Sequence, residues 1–130
     1  MKTLLFLSVF SFGLHAEEFT KQIWSEGNHH YLMSYHQKTN LLISENCFNE
    51  GTPLEKSKCE AAHALNKKKT LKAPGNAFWG GKNPGAVVCQ KLLGEKVAIL
   101  KDPKNNENAF CRFADGSMIS ATNLAILLKD

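Results

Sequence analysis

The chain has 130 residues, 43% of them hydrophobic and 22% charged, with a formal net charge of +4. That is enough for one ordinary domain and too little for two. Apart from Lys67-Lys68-Lys69 with nearby Lys72, the basic residues are dispersed and accompany no base-reading motif, so nucleic acid is not an expected partner.

At the amino terminus, Lys2 precedes the apolar run Leu4-Leu5-Phe6-Leu7-Ser8-Val9-Phe10-Ser11-Phe12, and Leu14-His15-Ala16 offers a cleavage site. A basic start, a short apolar stretch and a small-residue end make up a secretion signal. The run is shorter than the about 20 residues that cross a hydrocarbon core. Residues 1–16 are therefore expected to be a cleaved signal, with 17–130 one exported domain, periplasmic or secreted, that has no membrane span after cleavage.

Glu17 to Gln22 reads as polar and frayed. Tyr31-Leu32-Met33-Ser34-Tyr35 and Leu41-Leu42-Ile43-Ser44 read as two strands of a hairpin, joined by the turn-forming group Gln37-Lys38-Thr39-Asn40. Thr52-Pro53-Leu54-Glu55 signals a helix start, with Thr52 as cap and Glu55 closing a capping box; Leu54, Ala61 and Leu65 share a face, bordered by Cys59 and Ala62. The segment from Ala73 to Lys82 is a Pro- and Gly-containing loop. A second helix is expected between Asn83-Pro84 and Gly94, with Ala86, Cys89 and Leu93 in line and Val88 and Leu92 beside them. A second hairpin follows, Val97 to Leu100 and Ala109 to Phe113, around Pro103-Lys104-Asn105-Asn106. On the latter strand, Cys111 and Phe113 should face the helix, with Phe110 and Arg112 facing away. Ala121 to Leu128 reads as a short helix. The expected fold class is α+β: two β-hairpins forming a small antiparallel sheet with two to three helices.

Four cysteines, Cys47, Cys59, Cys89 and Cys111, fall in the exported part. An even count in a small exported domain reads as a disulfide framework, formally with three connectivities. Spacing favours Cys47–Cys59 and Cys89–Cys111, each joining a strand to the adjacent helix within one unit. Zinc is the rival, but tight zinc knuckles usually contain Cys-x-x-Cys, and this chain has none.

The segment Gly81-Lys82-Asn83-Pro84-Gly85-Ala86-Val87-Val88-Cys89, with Cys111-Arg112-Phe113-Ala114-Asp115-Gly116-Ser117, resembles the bacterial domain of unknown function 333 family, whose members carry a hemolysin label. The family pattern opens Gly-x-Asn-Pro-Ala, continues through a helix cysteine and a basic strand, and closes on Cys-x-Phe-x-Asp-Gly-Ser. The resemblance covers residues 80–128. It implies an exported protein or lipoprotein and assigns no catalytic residue. The chain departs from the pattern after Ser117: Met118, Ile119 and Ser120 stand where members tend to have a further cysteine, and no tryptophan follows.

His29, His30, His36 and His63 are conceivable metal ligands, but no cysteine or carboxylate partners stand at short fixed spacing from them, so no metal site is expected. Cys59 and His63, one helical turn apart, could mimic a thiol–imidazole pair, although Cys59 is expected to be bridged. There is no Gly-x-Ser-x-Gly elbow, Walker loop or His-Glu-x-x-His helix. The expectation is a non-enzymatic binding protein without a cofactor, its partner an envelope or extracellular protein or a glycan. The alternative is a secreted inhibitor of a hydrolase. The candidate binding residues are Phe78, Trp79 and Lys82, in the glycine-flanked loop: either the two aromatics plug the domain or Trp79 stays open to a partner.

Overall fold

Strand alternation in this chain builds a closed barrel rather than an open sheet. The computed structural model describes residues 19–48, 54–67, 71–72, 76, 81 and 83–128. Six strands follow one another as β1 (Phe19–Glu26), β2 (His29–His36), β3 (Leu41–Ser44), β4 (Lys96–Lys101), β5 (Glu107–Arg112) and β6 (Met118–Ser120). Three short helices accompany them: α1 (Glu60–Leu65), α2 (Pro84–Val87) and α3 (Ala121–Leu124). The barrel order is β1-β2-β3-β6-β5-β4, with β4 returning to β1, and every pairing is antiparallel.

Both expected hairpins form. β2 and β3 turn through Gln37–Asn40, with Asn40 at φ 55°, and β4 and β5 turn through residues 102–106. The open two-hairpin sheet is corrected by two further strands. β1 includes the supposedly frayed residues from Phe19, because its full pairing with β2 puts Trp24 into the barrel and leaves Lys21 and Ile23 outside. β6 has only three residues, buried on both faces, and it joins β5 to β3.

The barrel is two three-strand meanders, β1-β2-β3 and β4-β5-β6, related by a pseudo-two-fold. They meet at two junctions, Ser25 with Lys101 and Ile43 with Ile119, and in both the partners lie 76 positions apart. The same offset relates the inward residues Trp24 to Leu100 and Leu42 to Met118. An offset of 77 relates Met33 to Phe110, the extra residue being taken up in the hairpin loops. These six side chains, with Ala98, fill the barrel. Trp24 and Phe110 meet edge to face at 5.2 Å, a favoured aromatic geometry.

A second core lies outside the barrel on one side. Ile43, Cys111, Phe113 and Ile119 face outward there and pack under Ala61, Val88, Cys89, Leu124 and Leu127. Cys111 and Phe113 thus face the helices as expected, Phe110 fills the barrel, and Arg112 sits half-buried at its mouth. β3 and β6 are buried on both faces, β4 alternates cleanly, and β2 alternates only in its first half, because its outward Ser34 and His36 are buried near the 3-10 turn Glu45–Cys47. At the start of β1, Phe19 stacks on His36 at 5.1 Å, and His36 lies 4.3 Å from Phe48.

Cys47–Cys59 and Cys89–Cys111 are bonded, with Cα separations of 5.5 and 5.6 Å. The pairing is the one spacing favours; the placement differs for the first bridge. Cys47 ends a 3-10 turn after β3, and Cys59 caps α1 rather than lying on its face. The long helix expected from Thr52 is replaced, within the described residues, by a 3-10 turn at Leu54–Lys56 and the separate α1; Thr52 and Pro53 lie outside them. The second helix starts at Pro84 under an Asn83 cap, continues as a π turn over Val88–Leu92, and ends before Gly94 at φ 67°. The buried residues of this segment are Gly85, Val87, Val88 and Cys89, so of the expected line Ala86, Cys89 and Leu93 only Cys89 is fully covered. The tail is helical as expected, as α3 and the 3-10 turn Ala125–Leu127.

Candidate binding face

The Asn83-Pro84 and Asp115-Gly116-Ser117 motifs fix the helices against the barrel. Asp115, Gly116 and Ser117 form the β5–β6 turn, with Gly116 at φ 86°. From there Asp115 Oδ2 accepts from Glu60 N at 2.9 Å and Ser117 Oγ accepts from Ala61 N at 3.0 Å, satisfying the first amides of α1 across 55 residues of sequence. Glu60 Oε2 accepts in return from Ala114 N. Burial would raise the Asp115 pKa, but bonds from the Ser117 hydroxyl and from the Glu60 and Ser117 amides outweigh it and hold the carboxyl below its ordinary value. At the other motif, Asn83 Oδ1 accepts from Gly85 N and Ala86 N to start α2. A Cβ on Gly85 would sit 1.6 Å from the Ala121 carbonyl oxygen, so glycine is what lets α2 and α3 touch backbone to backbone.

The side chains weighed for catalysis do not assemble into a nucleophile–base pair. Cys59 is disulfide-bonded, and its sulfur accepts from Ala62 N. His63 lines a cleft of about 310 Å3 with Glu60, Lys67, Glu95 and Phe113, and the Glu60 carboxylate there is engaged by Ala114 N. Among the described residues no three His, Cys, Asp or Glu side chains are grouped to hold a metal. Phe78, Trp79 and Lys82 lie outside the described residues.

Among the described residues, the side opposite the helices is left open. Each meander junction has a single residue pair, but their surroundings differ. The β3–β6 junction is roofed by the outer core and tied by Met118 N to Ser44 Oγ at 2.7 Å. No described helix covers the β1–β4 junction. Ile23 and Ile99, equivalent under the pseudo-two-fold, flank it and are each 51% exposed; Leu32, opposite Ile23 on β2, extends the apolar strip. Two clefts follow the junction. One, of about 540 Å3, is bounded by Lys21, Gln22 and Ile23 and by Pro103, Lys104 and Asn106. The other, of about 430 Å3, lies among Gly27, Ile99, Lys101 and Asn105.

The turn between the clefts is preorganised. Asp102 Oδ1 accepts from the amides of Lys104 and Asn106 at 2.9 and 2.8 Å, and Oδ2 accepts from Asn106 Nδ2 at 2.9 Å. The Asn106 side chain is the largest cause holding the Asp102 pKa below its ordinary value. Asn105 sits at φ 69°, in the left-handed region that asparagine tolerates.

Sequence reasoning missed Ile23 and Ile99. Their signal was an apolar residue at the outward position of a strand, next to the inward Trp24 and Leu100, where a half-buried strand normally places a polar one. Compared with protein-family profiles, curated proteins and solved structures, the chain matches none.

Proposed function

We propose that this chain is a non-enzymatic binding protein of the periplasm or the extracellular space, and that its contact surface is the open β1–β4 junction. Export is supported by the secretion-signal pattern of residues 1–16 and by two closed disulfides, which belong to oxidising compartments. No helix among the described residues is long and apolar enough to cross a membrane. The resemblance of residues 80–128 to an exported family belongs to the same proposal. The observation that carries the reading is the pair of half-exposed isoleucines astride a single-pair junction with no helix over it among the described residues. Covering each would contribute about 1 kcal/mol to association. Their apolar character favours a protein partner over a glycan, from the envelope or outside the cell.

The test is a double substitution, Ile23→Ser with Ile99→Ser. Both sites are on the surface, so stability should change by no more than about 0.5 kcal/mol per site, while capture of partners from an envelope extract is lost. Identical partners on wild type and variant would remove this face from consideration and return attention to Phe78, Trp79 and Lys82.

The preorganised turn at residues 102–106 favours inhibition of a hydrolase as a second reading, since a rigid exposed loop loses little entropy on entering an active site. Incubation with a panel of proteases and cell-wall hydrolases tests it. Inhibition weakened by Asp102→Ala would support it, and no inhibition of any enzyme would remove it.

A further inference from the structure

The open junction exposes a strand edge, and that edge specifies a class of partner. All of β1 pairs with β2, but only its Ser25 is paired with β4. From Phe19 to Trp24 the other edge of β1 meets no strand among the described residues. Alternate residues of an antiparallel strand direct N–H and C=O to either side, so this edge presents backbone donors and acceptors to the 540 Å3 cleft beside it. Natural proteins usually cover or blunt such an edge.

Charge narrows the occupant. Asp102, the acid of this cleft's lining, already has both carboxylate oxygens engaged by its own turn. Lys104 has no ion pair among the described residues. Lys21 meets Glu45 at 3.5 Å, with the lysine exposed and the glutamate partly so, a weak pair that an incoming carboxylate can exchange. Lys21 and Lys104 are therefore the cations the rim offers a ligand. They stand beside an ionised Asp102 whose pKa is lowered first by the Asn106 side chain and also by the Lys104 charge, and whose oxygens are already bonded. Lys21 and Ile23 project from the same face of β1, two residues apart. At the pseudo-equivalent cleft the charges are already matched, Lys101 with Glu107 and Glu26 with Arg112. Adding β1 of a second copy would gather Lys21 and Lys104 of both chains at one edge, an unfavourable like-charge contact.

Building on the binding-face reading, we propose that the β1 edge takes an extended peptide segment as an additional antiparallel strand, with an acidic residue opposite Lys21 and a β-branched apolar residue opposite Ile23. Main-chain bonds supply affinity and the apolar-x-acid spacing supplies selectivity, as in strand addition generally.

The experiment uses the full exported chain, isotope-labelled, and a capped Thr-Val-Thr-Glu-Thr peptide, whose glutamate faces Lys21 and valine Ile23 in the antiparallel sense. Binding should shift the amide resonances of Thr20–Trp24 and slow their hydrogen exchange. Affinity should fall with added salt, fall about tenfold in Lys104→Glu, and vanish for a peptide N-methylated at alternate residues. Three results would each overturn the proposal: no binding, binding that leaves Thr20–Trp24 unchanged, or equal binding of the Thr-Val-Thr-Lys-Thr peptide. A dimer that protects the same amides without peptide would also overturn it, by assigning the edge to a second copy. If these fail while Ile23→Ser with Ile99→Ser still abolishes partner capture, strand addition is wrong and the binding face stands. If that double substitution has no effect, the binding face itself is wrong.

Discussion

Gly85→Ala adds one methyl group where the structure leaves no room for it. The new Cβ would meet the Ala121 carbonyl oxygen at 1.6 Å, the Ala121 carbonyl carbon at 2.3 Å and the Thr122 amide nitrogen at 3.0 Å. All three are backbone atoms, so no rotamer change relieves the contact. Restoring ordinary van der Waals distance requires α2 and α3 to separate by about 2 Å, on the scale at which packed interiors lose much of their dispersion contact. The helices cannot part freely. Cys89, on the turn that continues α2, is bonded to Cys111 of β5, and α3 runs directly out of β6. The displacement would therefore open the outer core around Val88, Leu124 and Leu127. Overpacking typically costs about 1–3 kcal/mol, and a backbone-on-backbone clash belongs at the upper end, so a loss of about 3 kcal/mol is expected. Alanine's better helix propensity offsets at most about 1 kcal/mol of it. For a domain of this size the net loss of 2–3 kcal/mol should lower the melting temperature by roughly 10 °C. Thermal and urea denaturation of the two proteins measure it. An alanine variant as stable as the parent would show that α2 and α3 are not in backbone contact.

Replacing Cys89 and Cys111 together with alanine should cost about 3.4 kcal/mol from the loop of 22 residues, against about 2.8 kcal/mol for Cys47 and Cys59 with their loop of 12; urea midpoints showing the reverse order would mean that loop entropy does not govern these bridges. The Asp115 carboxyl is depressed in the folded state, so its stabilising contribution is full above its ordinary value of 3.8 and is lost as pH falls through the lower folded value. Asp115→Asn should therefore destabilise the protein near neutral pH and flatten the acid limb of its stability curve below about pH 4; two parallel acid limbs would show that another carboxylate governs that range.

Much of this protein is legible in the sequence because it is local. The β2–β3 and β4–β5 hairpins follow from alternation around turn residues such as Asn40 and Asn105, and two of the helix limits from Asn83 and Gly94. Short separations favoured the two disulfides. Other features depend on contacts far apart in sequence. β1 carries a single fully buried side chain, Trp24, because its other face is outside the barrel, so its pattern is weak until β2 and β4 are beside it. β6 is three residues long and exists because β3 and β5 flank it. The pseudo-two-fold is faint as residue identity: Ile23 answers Ile99 and Ile43 answers Ile119, but inside the barrel tryptophan answers leucine and methionine answers phenylalanine, so what recurs there is inwardness and apolar character. The candidate face arises the same way. Ile23 and Ile99 are ordinary strand isoleucines in the sequence, and only barrel closure, with the helices gathered on the opposite side, leaves both in water beside an open strand edge.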